Sequence, residues 1–351
     1  MYIIRKQRKT EHLHLAVQTV DGPDQNGFED IALIPDAVPE LNLDDIDLSS
    51  RFLGKDLACP IIINALTGGT EEAKTINRQL ARLVGKYGLA MAVGSQTIAL
   101  EDHRLIDSFT VVREINPQGL LIANVSANSP AAEALAAVKM IAADGLQLHF
   151  NIPQELAMHE GDRHFRGILD NVRGIVDQCP VPVIAKEVGF GFSRESVSKL
   201  HAGGVNIFDC GGKGGTNFLA IEDQRGGMFD QSLYDWGMPT AVSLAEIVDL
   251  KLPIQVVASG GIRSASDLAK AIAMGADLVG ITGLFLKTLL NEGYEELDRQ
   301  IARLLYQSQA VFLMTGSQNC AAIRQKPLLI FNRTAEWLRL RAVDPTQWSR
   351  K

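Results

Sequence analysis

The amino-acid sequence predicts an α/β protein in which eight parallel strands close into a (β/α)8 TIM barrel, with an N-terminal extension and C-terminal helices. From about residue 60, short apolar runs without polar alternation recur along the chain, as expected for strands that are buried on both faces. Amphipathic segments separate most of these runs, and eight is the number of strands that closes such a barrel. An open, doubly wound parallel sheet is the alternative that the same pattern allows.

The predicted strands are short and apolar. They are Ile61–Asn64, Leu89–Val93, Leu120–Asn124, Leu146–Phe150, Val183–Lys186, Asn206–Asp209, Ile254–Ala258 and Leu278–Ile281. Helical periodicity fills most of the intervals between them. The predicted helices are Ala73–Tyr87, Ala131–Ala143, Arg166–Gln178, Ser193–His201, Val242–Leu250 and Ser264–Met274.

Three parts of the chain fall outside this repeat, although residues 1–351 are expected to form one domain. The first, about residues 1–60, precedes the barrel. The second, about residues 211–239, separates the sixth strand from its helix and is rich in glycine. A connection of this length is usually functional, such as a lid, or else disordered. The third begins near Glu295 and has the periodicity of further helices.

Composition and charge argue against several classes of protein. The chain carries 34 basic and 41 acidic side chains, a net charge of −7, and has no long basic run, which argues against nucleic-acid binding. No apolar run approaches the length of a membrane span, and the charged first residues do not resemble a secretory signal. The four scattered cysteines form no C-x-x-C pair, which is typical of reduced thiols and predicts a cytoplasmic protein.

Polar residues at the ends of the predicted strands indicate a functional site. In a (β/α)8 barrel the active site lies at the C-terminal ends of the strands. Six of the predicted strands end in, or lead directly into, polar residues at this rim, namely Asn64, Ser95-Gln96, Asn124, His149 with Asn151 and Gln154-Glu155, Lys186-Glu187, and Asp209. Packing alone does not explain this coincidence.

The strongest local signal lies at the seventh and eighth strands. Ser259-Gly260-Gly261-Ile262-Arg263 precedes a helix, and Gly280–Leu284 ends the eighth strand. Glycines expose backbone N–H groups and a helix N-terminus adds positive potential, so the two loops favour a phosphate group. Two tight turns that need a positive φ are the alternative interpretation.

A sugar phosphate, a nucleotide and FMN would each suit these loops. Lys186 favours FMN, because a cation near the N1/O2 edge of a flavin stabilises the charge that develops there on reduction. The alternative role for Lys186 is an ion pair with Glu187 or Asp209. Glu155 is a plausible Mg²⁺ ligand opposite a phosphorylated ligand.

Other candidates have simpler alternatives. The glycine-rich Gly211–Thr216 lacks the spacing of a Walker A motif and is either a phosphate loop or a hinge. Cys210 is better explained as a packed thiol than as a nucleophile, since no histidine is adjacent in sequence. Arg8, Lys9 and His12 are close enough in sequence to wrap a diphosphate, or they form a solvated arm.

These residues resemble those of the type 2 isopentenyl diphosphate isomerases, a family of FMN-dependent barrel enzymes. The resemblance extends from Arg8-Lys9-Thr10-Glu11-His12 to Met314-Thr315-Gly316-Ser317. The landmarks between them are Pro39-Glu40-Leu41, Thr67-Gly68-Gly69, Gly94-Ser95-Gln96, Gln147-Leu148-His149, Asn151 with Gln154-Glu155, Lys186-Glu187 and Gly260-Gly261-Ile262-Arg263. The last is shared with other FMN barrels, whereas the N-terminal segment and Gln154-Glu155 are more specific.

The resemblance implies an enzyme of isoprenoid biosynthesis that interconverts isopentenyl and dimethylallyl diphosphate. It implies reduced FMN as an acid/base, Mg²⁺, NADPH as the reductant, and a homo-oligomer with four or eight subunits. The implied FMN contacts are Thr67, Gly68, Ser95, Asn124, Lys186, Thr216, Gly261, Arg263, Gly283 and Leu284. The implied substrate contacts are Arg8, Lys9, His12, His149, Asn151 and Gln154, the last three being the catalytic candidates, and Glu155 is the implied Mg²⁺ ligand.

Three positions depart from the family's pattern. Leu66 replaces a methionine, the proline of Asn151-Ile152-Pro153 comes one position later, and Cys210-Gly211-Gly212 is unusual. Two other functions are alternatives to the isomerase. A 2-hydroxy-acid oxidase on the same barrel would need a histidine base after strand six, where the sequence reads Asp209-Cys210-Gly211-Gly212-Lys213. A non-catalytic flavin- or phosphate-binding protein would need neither Gln154-Glu155 nor the N-terminal arm.

Overall fold

Eight parallel strands form a closed barrel in the computed structural model, which describes residues 25–351 together with Glu11, Leu13, Leu15 and Val17. Each strand pairs with the next along the chain, and the eighth pairs with the first. The strands, numbered β1 to β8, are Ile61–Ile63, Ala90–Ala92, Leu120–Ser126, Gly145–Phe150, Val183–Glu187, Ile207–Asp209, Gln255–Ser259 and Leu278–Gly280. Closure confirms the predicted (β/α)8 barrel, and the doubly wound alternative is wrong because an open sheet has no pairing between its first and last strands.

Side chains along the strands alternate between two separate apolar cores. In β1, Ile62 points into the barrel interior, whereas Ile61 and Ile63 belong to the outer core beneath the helices. All three are buried, which is why the strands are apolar throughout and do not alternate with polar residues. Phe52 and Leu57, from a hairpin of strands Ser50–Phe52 and Lys55–Leu57, join the interior core. The polar cavity described below lies at the opposite, C-terminal ends of the strands.

The six predicted helices are present, with ends shifted by a few residues. The first begins at Glu71 because Thr70 caps it, its side chain accepting a hydrogen bond from the N–H of Ala73 at 3.0 Å. Within residues 25–351 the α-helices are Glu71–Tyr87, Thr97–Glu101, Asp107–Ile115, Ala131–Met140, Ile152–Ala157, Ile168–Gln178, Arg194–Ala202, Phe218–Gln224, Thr240–Asp249, Ala265–Met274, Gly283–Asn291, Tyr294–Met314, Cys320–Arg324 and Asn332–Leu340. None of these helices is both long enough and apolar enough to cross a membrane.

The N-terminal extension and the C-terminal tail meet in a two-stranded antiparallel sheet. Ile31–Leu33 pairs with Leu328–Ile330, in a register that sets Ile31 opposite Ile330. The predicted helices of the tail are confirmed by Tyr294–Met314, Cys320–Arg324 and Asn332–Leu340. The short strand between the last two was not predicted.

The segment of residues 211–239 follows β6 and borders the rim of the barrel. It contains the helix Phe218–Gln224, which Asn217 caps by accepting hydrogen bonds from Leu219 N–H (3.1 Å) and Ala220 N–H (3.2 Å). Leu219 packs with Ala157 at the end of the helix Ile152–Ala157. The segment therefore lies against the loop that follows β4.

Candidate active site

A cavity of about 330 Å³ lies at the C-terminal ends of the strands and is lined by residues that end or follow all eight of them. It brings together most of the site residues predicted from the sequence: Thr67, Ser95, Asn124, His149, Asn151, Gln154, Glu155, Lys186, Thr216, Gly261, Arg263, Gly283 and Leu284. Gly68 is not part of this lining and instead lies against the ring of Phe109. Arg8, Lys9 and His12 lie outside the described residues, but buried Leu13 from the same segment does line the cavity.

The floor of the cavity is a layer of polar side chains, which we call the polar layer: Asn64, Asn124, Gln147, His149, Lys186, Asp209 and Ser259. Its centre is Asp209, which is fully buried and accepts hydrogen bonds from the side chains of Asn64 and Ser259. Lys186 Nζ lies 3.5 Å from Asp209 Oδ2 and donates to the carbonyl of Glu187 at 3.0 Å. The ion pair considered for Lys186 is therefore present, and the same residue also lines the cavity.

The loop after β7 brings backbone groups together closely. Gly260 and Gly261 have φ values of 115° and 71°, and a Cβ at Gly261 would lie 2.1 Å from the carbonyl oxygen of Gly214. The guanidinium of Arg263 donates to the carbonyls of Gly261 (2.8 Å) and Gly214 (2.7 Å), and Asn26 Nδ2 donates to that of Gly261 at 2.7 Å. Arg263 therefore braces this loop against the glycine-rich segment after β6.

The loop after β8 contributes a helix N-terminus. Gly283 and Leu284 begin the helix Gly283–Asn291, and the side chain of Thr282 does not cap it. The first N–H groups of a helix have no acceptor within the helix, and they attract negative charge. The interpretation of both loops as tight turns with positive φ describes Gly260 and Gly261 but not Gly283, so it does not account for the second loop.

Gly261→Ala is expected to weaken FMN binding at least about tenfold, because any relief of the contact with Gly214 moves the loop that we expect to hold the phosphate. Overpacking of this kind costs about 1–3 kcal/mol of stability, and a positive φ at alanine costs about 1–2 kcal/mol more. Gly226→Ala is the matched control, since Gly226 has a φ of 77° and no atom within 4 Å of the added Cβ. Flavin titration of both variants measures the difference. Equal FMN affinities would contradict the prediction.

Across the barrel, the loop after β4 presents an amide and a carboxylate to the cavity. Asn151 Nδ2 donates to Glu155 Oε1 (2.9 Å) and Gln154 Oε1 (3.3 Å), and the N–H of Asp162 donates to Glu155 Oε2 at 2.8 Å. Pro153 stands in the first turn of the helix Ile152–Ala157, where the absence of an N–H costs no helical hydrogen bond. The displaced proline is therefore compatible with this arrangement.

Sequence reasoning missed two charged residues that contact this loop. Gln154 Nε2 donates to Glu222 Oε1 at 3.1 Å, and Glu222 is fully buried. Arg225 forms ion pairs with Glu222, with Glu160 (3.1 Å) and with Glu11 of the N-terminal segment (2.9 Å). In sequence, Glu222 and Arg225 are three apart at the end of a short helix, a spacing typical of solvent-exposed ion pairs. Nothing in that pattern indicated a buried network.

Cys210 follows β6 and is fully buried. Burial, and secondarily the neighbouring Asp209, raises the pKa of its thiol to about 12. A thiol in such surroundings remains protonated at neutral pH, which supports the interpretation of Cys210 as a packed side chain.

Glu187 lies buried beneath the loop after β5, where its Oε2 accepts hydrogen bonds from the N–H groups of Phe190 (2.6 Å) and Gly191 (2.9 Å). Removal from water raises the pKa of Glu187 from 4.5 to about 8, although these N–H groups and Lys186 act in the opposite direction. Val188 and Gly189 of this loop line the cavity. The protonation of Glu187 is thus coupled to a wall of the site.

The raised pKa of Glu187 predicts that part of the protein's stability depends on pH. Between pH 4.5 and about 8 the folded protein retains a proton that the unfolded chain has lost, so this contribution is full below pH 4.5 and falls as the pH rises. Urea unfolding at about pH 5.5 and 8.5 should show a smaller pH effect for Glu187→Gln than for the unmodified protein. Glu195→Gln is the control: the bond to Arg341 lowers the pKa of Glu195 to about 2, below this window. An unchanged pH effect in Glu187→Gln would refute the assignment.

Comparison with known proteins identifies the family. The chain is 51% identical over 337 residues to isopentenyl-diphosphate delta-isomerase of Moorella thermoacetica, covering 96% of this chain and 97% of the relative. It is 45% identical over 352 residues to the protein of the same name from Symbiobacterium thermophilum, covering 97% of each. The sequence profile of FMN-dependent dehydrogenases matches residues 124–329.

Solved structures share the fold at much lower identity. A lactate oxidase of Pediococcus acidilactici superposes with a TM-score of 0.69 at 15% identity, covering 94% of each chain. A mutant flavocytochrome b2 with benzoylformate gives a TM-score of 0.68 at 17% identity, covering 90% of this chain and 81% of that one. At 15–17% identity these two likenesses show the fold alone, whereas the relatives of 45–51% identity show the family. The chain therefore belongs to the isopentenyl-diphosphate delta-isomerases, and it is an enzyme built on the barrel of the FMN-dependent dehydrogenases.

Proposed function

We propose that the enzyme interconverts isopentenyl diphosphate and dimethylallyl diphosphate with reduced FMN and Mg²⁺, as a step of isoprenoid biosynthesis. The observation that carries this proposal is the composition of the cavity. Glycine-rich loops after β7 and β8 face the Asn151, Gln154 and Glu155 group after β4, and β4 and β8 lie opposite each other in the barrel. One cavity therefore offers a phosphate cradle at one side and polar groups for a second ligand at the other.

The residues present fit FMN. There is no room for a Cβ at Gly260 or Gly261. The N-terminus of the helix Gly283–Asn291 has no side-chain cap and suits a phosphate dianion. Lys186 supplies a cation on the floor, where a flavin ring above the polar layer would meet it. Thr67, Ser95, Asn124 and Thr216 offer further polar groups around the ring, whereas Gly68 would act only through its backbone. Bound reduced FMN supplies a proton-exchanging flavin nitrogen, N5 or N1, and NADPH is the proposed reductant.

The chain's own residues would orient the substrate. Both ends of the Gln154 amide are in use, with Nε2 on Glu222 and Oε1 near Asn151 Nδ2, so the side chain is held in one orientation. An amide is a poor general acid in water, which favours positioning over proton donation as its role. His149 and Asn151 line the same wall. Glu11 binds Arg225, and its neighbours in sequence include Arg8, Lys9 and His12. These three residues are proposed to contact the diphosphate.

Glu155 fits a Mg²⁺ ion that is shared with the substrate. Within residues 25–351 and the four described N-terminal positions, no group of three or more His, Cys, Asp or Glu residues is arranged to hold a metal. Mg²⁺ sites that use substrate phosphates commonly take only one or two protein carboxylates, and Glu155 lines the cavity. Two further acidic residues follow in sequence: the Glu160 carboxylate accepts from Arg225, and the backbone N–H of Asp162 donates to the Glu155 carboxylate. The proposed ion would thus take Glu155 and the diphosphate oxygens.

We also propose a single cytoplasmic domain in which residues 211–239 act as a lid, assembled as a homo-oligomer of four or eight subunits. The contact of Arg225 with Glu11 supports the lid, because it joins this segment to the N-terminal residues at the cavity. Sedimentation of the purified protein measures the number of subunits directly.

The proposal is tested with the FMN-loaded protein, reduced anaerobically and supplied with Mg²⁺ and isopentenyl diphosphate. Dimethylallyl diphosphate should form, and it should not form with oxidised FMN or after chelation of Mg²⁺. A second arm adds lactate or mandelate anaerobically to the oxidised protein, where the flavin should stay oxidised. Bound, reduced flavin without product would refute the isomerase, and bleaching by a 2-hydroxy acid would favour the oxidase chemistry.

A further inference from the structure

A chain of hydrogen bonds runs through the polar layer from Asp209 to His149. Asn64 Nδ2 donates to Asp209 Oδ2, and Gln147 Nε2 donates to Asn64 Oδ1 at 2.8 Å. Asn124 Nδ2 donates to Gln147 Oε1 at 3.1 Å, and Asn124 Oδ1 lies 2.9 Å from His149 Nδ1. Except for His149 at the cavity wall, these side chains are buried. In each of the three amides, the NH₂ group donates to the neighbour on the Asp209 side and the oxygen faces the neighbour on the His149 side.

Asp209 fixes the direction in which this chain donates. It lies 3.5 Å from Lys186 Nζ and also receives the Ser259 hydroxyl and the N–H of Gly211, so it is a carboxylate and can only accept. Asn64 must therefore turn its NH₂ group towards Asp209 and its oxygen towards Gln147. The backbone N–H of Ala65, which donates to Asn64 Oδ1 at 3.0 Å, requires the same orientation.

The orientation of Asn64 determines the orientations of the Gln147 and Asn124 amides, and through them the group that faces the His149 imidazole. Gln147 donates through Nε2 to Asn64, so its oxygen faces Asn124 and accepts from Asn124 Nδ2. This leaves Asn124 Oδ1, an atom with no proton, facing His149 Nδ1. Only a proton on His149 Nδ1 completes that contact. The opposite tautomer would bring two lone pairs together in a buried place, and an unmet hydrogen bond of this kind is expected to disfavour it at least about tenfold.

We propose that Asp209 is a positioning residue which, through Asn64, Gln147 and Asn124, holds His149 as its Nδ1–H tautomer. The neutral imidazole then carries its lone pair on Nε2, so that His149 accepts at this atom when neutral and donates from it only as an imidazolium. This consequence for substrate contact rests on the proposed function. The preference for the Nδ1–H tautomer follows from the contact of His149 Nδ1 with Asn124 in the polar layer.

The tautomer can be measured in the FMN-loaded protein without substrate, by long-range ¹H–¹⁵N NMR of ¹⁵N-histidine-labelled material at a pH where the imidazole is neutral. The chain has 7 histidines, and His149→Gln identifies the signals of His149 by their loss. We expect the Nδ1–H pattern in at least about tenfold excess. A predominant Nε2–H pattern would overturn the proposal, whether or not the protein isomerises isopentenyl diphosphate.

Two variants test the pathway. Gln147→Leu removes the link between Asp209 and the Asn124 side chain, so Asn124 can rotate and the Nε2–H form of His149 should become detectable. Gln96→Leu is the matched control, because Gln96 is equally buried and accepts from the backbone N–H of Asn124, not from its side chain. An unchanged tautomer of His149 in Gln147→Leu, or an equal change in both variants, would refute the role of the hydrogen bonds between Asp209 and His149. If Gln147→Leu does not fold, the tautomer in the unmodified protein still decides the proposal.

Discussion

Lys186→Met is expected to destabilise the protein by about 3–5 kcal/mol, because it leaves the buried Asp209 carboxylate without its counter-charge. It should also weaken binding of reduced FMN more than that of oxidised FMN, since the cation proposed to stabilise the reduced flavin is lost. Urea unfolding measures the first effect. The shift of the flavin's reduction potential to a more negative value measures the second.

A double variant separates these two effects. Adding Asp209→Asn to Lys186→Met removes the unpaired carboxylate, so most of the lost stability should return while the reduction potential stays low. Lys213→Met is the matched control: Lys213 is also buried, but its partner Asp235 is exposed, and loss of that pair is expected to cost about 1 kcal/mol or less. A reduction potential that does not change in Lys186→Met would show that this lysine does not act on the flavin.

Glu155→Gln is expected to lower isomerase activity about 100-fold or more at low Mg²⁺, by analogy with the 10–100-fold cost of changing groups that merely support a metal ligand. Asn151 Nδ2 donates to Glu155 Oε1 and the N–H of Asp162 donates to Glu155 Oε2, so the single oxygen of glutamine can keep one of these two hydrogen bonds and the loop should keep its shape only in part. The measurement is initial rate against Mg²⁺ concentration, together with the flavin content of the purified variant.

Glu160→Gln controls for loss of a neighbouring charge. Glu160 follows the same loop, yet it binds Arg225 and does not line the cavity. Its Mg²⁺ dependence should match that of the unmodified enzyme. Loss of bound FMN from Glu155→Gln, or an equal rise in Mg²⁺ requirement in both variants, would show that Glu155 has another role.

The barrel was predictable from sequence because each of its strands is buried on both faces and therefore appears as an apolar run. The helix Asp107–Ile115 was missed because the interval between β2 and β3 is divided into short helical pieces, none long enough for its periodicity to stand out. The sheet of Ile31–Leu33 with Leu328–Ile330 was missed for another reason. These two short strands lie outside the βα repeat, and their pairing depends on a partner at the other end of the chain, which no local pattern shows.

Some features of the candidate site were likewise predictable from local sequence patterns, and others were not. Residues such as Asn124 and Lys186 were found because a strand end is a position that sequence periodicity locates. The contacts of Gln154 with Glu222, and of Arg225 with Glu11, join residues 68 and 214 positions apart, and no local pattern encodes them. For Lys186 the two interpretations offered by the sequence were not exclusive, since one side chain pairs with Asp209 and also reaches the cavity.

The sheet that joins the two ends of the chain also bears on the order of folding during synthesis. Ile31 is buried and pairs with Ile330, so its partner strand leaves the ribosome only after all eight barrel strands have been translated. Until then an edge of backbone N–H and C=O groups and an apolar side chain remain uncovered, a combination that invites pairing with other nascent chains. Completion of this small sheet is therefore expected to be a late event, and chains that stop before Leu328 should be more prone to aggregate than their intact barrel strands suggest.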